Sequence, residues 1–182
     1  MFMNDTLIFN NTAHKILRFL SIYPLEGFYV TEIAKKVSLS KGAASLWLRE
    51  LGRKNLILAE KRGKELYYKI NIFSPSIRQY KVLINVVHLE PLIHQLKDSS
   101  RKIVLFGSSA RGEDRFESDI DLFIVAKEPA VTRGIINNFK SARKIQPIIK
   151  TASELTEFER KNKEFSDQIK AGVTLWEEKN DY

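Results

Sequence analysis

A chain of 182 residues has room for one large or two small domains, and its apolar fraction of 43% is enough to fill their cores. Cysteine is absent, which excludes disulfides and thiolate metal sites and makes a reducing cytoplasm the simplest setting. The net charge of +8 is uneven: residues 1–72 hold twelve Lys/Arg against six Asp/Glu, so phosphate-rich partners are expected for the first part of the chain.

Residues 1–6 lack the basic-then-apolar order of a signal peptide. A first helix is predicted over Thr12 to Ile22, with Ala13, Ile16, Leu17 and Leu20 on one face. After Pro24 and Gly27, Thr31 is placed to cap a short helix carrying Ile33, Ala34 and Val37. A tight turn over residues 38–40 follows, with Ser40 as the next N-cap. The third helix, about Lys41 to Lys54, is expected to bury Ala44, Trp47, Leu48 and Leu51. That leaves Lys41, Gly42, Ser45 and Arg49 turned outward, with Arg53 near the end. Two strands, Leu56 to Ala59 and Glu65 to Ile70, flank a basic turn of Lys61, Arg62, Gly63 and Lys64, whose glycine supplies φ > 0.

Three helices, a tight turn before the third and a basic hairpin resemble the winged helix-turn-helix of prokaryotic regulators, over residues 10–72. The resemblance implies double-stranded DNA as partner, with the third helix in the major groove and the hairpin on the adjacent backbone. By position, Ser40, Lys41, Ser45 and Arg49 would face bases or phosphates, while Arg53, Lys61, Arg62 and Lys64 would meet phosphate. A dimerisation or protein-docking module is the alternative for the same domain.

A connecting helix starts at Ser74 and Pro75 and carries Ile77, Tyr80, Leu83, Ile84, Val87 and Leu92 or Ile93 at helical spacing, ending near Asp98. This stripe is expected to pack the domains together or to pair two protomers. The apolar stretch Val82 to Ile93 is interrupted by Asn85, His88, Glu90 and Pro91, too short and polar to span a bilayer.

Two short apolar runs, Lys102 to Phe106 and Leu122 to Ala126, read as buried strands. The first delivers Gly107 and Ser108 at its end, and the second opens on Asp119, Ile120 and Asp121. Alternate residues of a strand share a face, so both carboxylates point the same way and suit a hard cation such as Mg²⁺. Gly107 lets backbone approach a ligand closely, and the amides of Ser108, Ser109 and Ala110 would meet a phosphate if they open a short helix.

Gly107 and Ser108, ten residues, then Asp119-x-Asp121 resemble the signature of the polymerase-β-type nucleotidyltransferase superfamily, and most closely its minimal prokaryotic members. The longer string also matches, from Gly107 through Arg111 to Gly112 and from Ser118 to Leu122. The resemblance implies that Asp119 and Asp121 hold Mg²⁺ (or Mn²⁺) and serve catalysis. Gly107, Ser108, Ser109, Arg111 and Ser118 would then bind a nucleoside triphosphate. It also implies that a third carboxylate belongs on the strand after Asp121, as metal ligand and base.

That next strand is Ile145 to Lys150, with Pro147 suggesting an edge, and it holds no acid; Gln146 or Ile148 occupies the position. A helix over Val131 to Arg143 precedes it. Thr151 and Glu154 form a capping box that opens a helix to Ala171, with Leu155, Phe158, Phe165 and Ile169 as its buried stripe. Gly172 ends that helix, and Val173 to Glu177 reads as a last strand. Glu154 and Glu157 are the nearest acids to the gap.

The expected fold is therefore α+β: a winged helix-turn-helix at 1–72, a connecting helix at 73–99, and an α/β nucleotidyltransferase-like domain with a small mixed sheet at 100–182. The leading function is Mg²⁺-dependent transfer of a nucleoside monophosphate to a hydroxyl of a protein or small molecule. The minimal relatives often act as antitoxins on a helical toxin, and a fused DNA-binding domain suits autoregulation. A nucleotide-sensing or plain DNA-binding regulator with a retired transferase domain is the alternative.

Overall fold

The computed structural model describes residues 11–179; the first residues, read above as no signal peptide, lie outside it. Its contacts divide the chain into two compact units, Met1–Lys81 and Val82–Tyr182.

The first unit runs α1 (Thr12–Ile22), β1 (Phe28–Tyr29), α2 (Val30–Lys36), α3 (Lys41–Arg53), β2 (Ile57–Arg62) and β3 (Glu65–Ile70). The Asn11 side chain caps α1, accepting from the His14 N–H at 2.8 Å. Ile16, Leu17 and Leu20 of α1 are buried against Ile33, Leu48, Leu51, Ile57 and Ile70. Each such side chain is worth about 1.5–3 kcal/mol when fully buried. The strands form an antiparallel sheet in the order β1-β3-β2.

Three local expectations are corrected here. Helix α2 begins at Val30, so Thr31 lies inside it, exposed, and the Glu32 carboxylate accepts from the Tyr29 N–H at 2.7 Å instead. Trp47 is 38% exposed. Ala44, Leu48 and Leu51 fall close together on the α3 helical wheel, whereas Trp47 sits about 60° to one side, beyond the buried face. Strand β2 continues to Arg62, so Lys61 and Arg62 are strand residues and the turn is Gly63 and Lys64. Gly63 has φ 62° at the first central position, where a two-residue hairpin of the type II′ class requires glycine.

The second unit contains the later half of α4 (Pro75–Leu96), then β4 (Ser100–Phe106), α5 (Gly107–Arg111), β5 (Ile120–Ala126), α6 (Pro129–Asn138), β6 (Ile145–Lys150), α7 (Ala152–Lys161), α8 (Lys163–Lys170) and β7 (Val173–Glu177). The dividing point of the two units falls within α4: Ile77 belongs to the first core, and Leu89, Leu92 and Leu96 belong to the second. Leu83, expected in the buried stripe, is 44% exposed.

The sheet order is β6-β5-β4-β7, with β5 and β6 parallel and the other pairs antiparallel. Alternation along β4 and β5 sends Ile103, Leu105, Ile120, Leu122 and Ile124 toward α4 and α6. It sends Val104, Phe106, Phe123 and Val125 into a second cluster with Leu155, Phe158, Phe165 and Ile169 of α7 and α8. Pro147 does lie on an edge strand, where its missing N–H costs no ladder bond.

Two helices differ from expectation. Helix α6 stops at Asn138, because Phe139 turns extended at ψ 123°, and Arg143 falls in the following loop. The helix expected to reach Ala171 is broken at Asn162 into α7 and α8, while its apolar stripe continues across the break.

Candidate active site

The site forms where β4 and β5 meet at one end of the sheet. Phe106, the last residue of β4, pairs with Asp121, so the chain leaves β4 directly beside that carboxylate. Gly107 follows with φ 69°, and a Cβ there would run into the Asp121 carboxylate oxygen. Glycine is required for both reasons: backbone conformation and room for the acid.

Asp119 and Asp121 flank the buried Ile120 and share the opposite face, both partly exposed. Burial raises the Asp121 pKa, and the neighbouring Asp119 charge raises it further, against the lowering pull of Arg143 and Arg111. A cation between the acids would relieve that repulsion. Two hard carboxylate oxygens so placed fit a divalent metal with water and phosphate as its other ligands. Among the described residues, no group of three or more His, Cys, Asp or Glu side chains gathers for metal binding.

The parallel register of β5 and β6 explains why. It sets Gln146 beside Asp121, and the Gln146 amide donates to the Asp119 carboxylate at 2.6 Å. Ile148 pairs with Phe123 and packs into the apolar cluster with Phe158. Of the two candidates for the third-acid position, Gln146 therefore stands at the carboxylates, and Ile148 is partly buried against the apolar cluster. The other acids are engaged elsewhere. Glu154 accepts from the Thr151 N–H at 2.8 Å and from its hydroxyl at 3.0 Å, and these bonds hold its pKa low. Glu157 pairs with Lys161 at 2.6 Å.

Residues 90–181 match the family described as Polymerase beta, Nucleotidyltransferase, half of the 182-residue chain. The chain belongs to this nucleotidyltransferase family. No curated protein matches the chain. The matched residues include every position of the Gly107, Ser108, Asp119 and Asp121 constellation and all of β4 to β7. No helix among the described residues is long and apolar enough to cross a membrane.

Within the nucleotidyltransferase domain, the remaining candidate residues divide into open and enclosed. Ser108 is partly exposed, and Arg111 is exposed and paired with Glu113 at 2.8 Å. Ser109 is fully buried, its hydroxyl accepting from Arg143 at 2.7 Å. The Ser118 hydroxyl accepts from the Arg115 N–H at 2.8 Å and fixes the loop before β5. Sequence reasoning missed three residues here: Arg143, Asp114 and Asn85. Arg143 and Asp114 form an ion pair at 2.9 Å with side chains only 14% and 9% exposed. The one sequence signal was Asp114 itself, a charge inside the signature string.

In the first unit, the Ser40 hydroxyl accepts from the Ala43 N–H at 3.1 Å and so caps α3. Lys41 and Arg49 are exposed on that helix and Ser45 is partly buried. Arg53 pairs with Glu50 at 2.6 Å. On the hairpin, Lys61 and Lys64 are exposed, and the Arg62 guanidinium lies 3.7 Å from the Tyr67 ring centroid.

Proposed function

We propose that this nucleotidyltransferase moves a nucleoside monophosphate from a triphosphate onto a hydroxyl of a protein or small molecule. The single observation that carries the reading is the meeting of Gly107, Asp119 and Asp121 at one end of β4 and β5 within the matched domain. Asp119 and Asp121 would hold Mg²⁺ or Mn²⁺, which supplies positive charge against the triphosphate. Gly107 and Ser108 would lie against the β- and γ-phosphates, and Arg111 would offset charge that develops during transfer. The acceptor oxygen forms a bond to the α-phosphorus as the bond from that phosphorus to the β-phosphate oxygen breaks. Pyrophosphate leaves with the electron pair, and the hydroxyl proton passes to solvent, since Gln146 cannot accept it.

We further infer that the first unit is a winged helix-turn-helix binding double-stranded DNA. Its helix and strand order, its capped α3 and its exposed basic residues support this. The pairing of the two units suits a cytoplasmic antitoxin that modifies a helical toxin and represses its own operon. A regulator that binds nucleotide without turnover is the second reading, favoured by Gln146 where the base would stand.

Incubation with α-labelled triphosphates and Mg²⁺, with and without cell extract, tests the proposal. Label should appear on an acceptor and vanish in Asp119→Asn and Asp121→Asn. Wild-type protein that transfers label from none of the four nucleotides supports the second reading instead.

A further inference from the structure

We infer that Arg143 is a positioning residue of the active site, tying the Gly-Ser helix α5 to the metal-binding end of β5; the inference rests on the transferase reading above.

The guanidinium has five N–H donors, and all five are used. Nε donates to the Ser118 carbonyl at 2.8 Å. Nη1 reaches Asn85 Oδ1 at 3.2 Å and Asp114 Oδ2 at 2.9 Å. Nη2 reaches the Ser109 hydroxyl at 2.7 Å and the Asp119 carbonyl at 3.0 Å. Asn85 closes the network by donating to the Ser109 carbonyl at 3.0 Å and to Asp114 Oδ1 at 3.2 Å.

The distribution of these acceptors carries the argument. Four of the five, on Ser109, Asp114, Ser118 and Asp119, lie between Gly107 and Asp121. Residues 112–119 contain no helix or strand, so the sheet alone does not set where Asp119 sits. A planar fork bridging Ser109 to Asp119 holds its backbone, while Gln146 of β6 holds its carboxylate. The fork grips Asp119 by its carbonyl and leaves the carboxylate facing the site. A charge this enclosed is costly unless paired, and Asp114 supplies the pairing. Lysine cannot replace the arginine, because one ammonium cannot reach acceptors spread along both sides of a guanidinium plane.

The test uses the full chain and two readouts. One is Mn²⁺ affinity, from the loss of the free-ion paramagnetic resonance signal. The other is kcat and KM for label transfer. Arg143→Lys and Arg143→Met should lose about 10- to 100-fold in Mn²⁺ affinity and kcat, the range for residues that orient ligands, with KM for triphosphate little changed. Asp114→Asn keeps the shape and removes the charge, and it should give the same pattern at smaller amplitude. It decides the matter even if an Arg143 variant does not fold. Ile136→Ala weakens the same domain away from the network and should leave both readouts near wild type below its melting temperature. Folded Arg143→Lys with wild-type Mn²⁺ affinity and kcat overturns the inference. So does Ile136→Ala losing both in step with its stability. Wild type that binds Mn²⁺ without transferring label removes the transferase reading, and the Mn²⁺ comparison alone then decides the role of Arg143. Wild type that binds no Mn²⁺ removes both.

Discussion

Asp121 carries the tension of the site in a single side chain. Its carboxyl is raised by burial first and by Asp119 second, so the folded protein holds that proton more tightly than the unfolded chain does. The stabilising contribution is complete below the ordinary carboxylate range and is lost as pH rises through the raised pKa. Near neutral pH the ionised group therefore opposes folding. In metal-free buffer, Asp121→Asn should melt above wild type near neutral pH, and the gap should close on acidification. Equal melting curves across that range would contradict the assigned environment. At this scale the sequence was legible where partners were near. Gly107, Asp119 and Asp121 stand out because their spacing and flanking strands are local. Arg143 did not, because its acceptors lie 24 to 58 positions away and its loop has no periodicity to mark it.

Strand β6 decides what the elements make of those residues. Its register with β5 is fixed by pairs from Ile120 with Ile145 to Val125 with Lys150, and it leaves no choice about which side chain adjoins the acids. The alternation that read as Gln146 or Ile148 in the sequence could not select between them, because both share one face and only pairing separates them. Gln146→Asp should accordingly add a ligand and a base, raising transfer by about a hundredfold if the new acid acts as a general base. Ile148→Asp should instead destabilise the domain by placing a charge beside Phe158. Transfer that is unchanged by Gln146→Asp would mean that proton removal does not limit the rate. The helices show the complementary limit. Periodicity found α1, α3 and the α7–α8 stripe, yet it overran α6 and missed the break at Asn162, where backbone torsions rather than apolar spacing decide. The two-residue β1 is too short to show any alternation at all.

At the scale of the whole molecule, charge and fold are partitioned in the same way. The first unit carries the basic excess, and its exposed cations lie on α3 and the hairpin and also on α1 and α2, at Lys15, Arg18, Lys35 and Lys36. Duplex binding should weaken steeply with salt, with a log-log slope of about −0.9 for each phosphate contacted. Combined Arg62→Ala and Lys64→Ala should weaken all sequences alike and flatten that slope by about 1 to 2 units, whereas Arg49→Ala should change sequence preference. Trp47, 38% exposed on the same helix as Arg49, offers a fluorescence signal for the titration. A slope that the double variant leaves unaltered would place the phosphate contacts elsewhere, or the first unit in a docking role.

Strand β7 closes the sheet against β4, although 66 residues separate Val173 from Gly107. During synthesis, then, the strand that leads into the signature loop has one unpaired edge until nearly the whole domain has emerged. An open apolar edge is a template for other chains. The residues of the candidate site are all translated before β7, the strand that covers the open edge of β4. A chain stopped at residue 172 keeps Gly107, Asp119, Asp121, Arg143 and Gln146, and should nonetheless accumulate as aggregate rather than as a weakened enzyme. Soluble, monomeric protein from that truncation would show that β7 is not needed to keep the β4 edge from other chains. The vulnerability of this sheet is thus one of timing, lying in the interval before β7 is available.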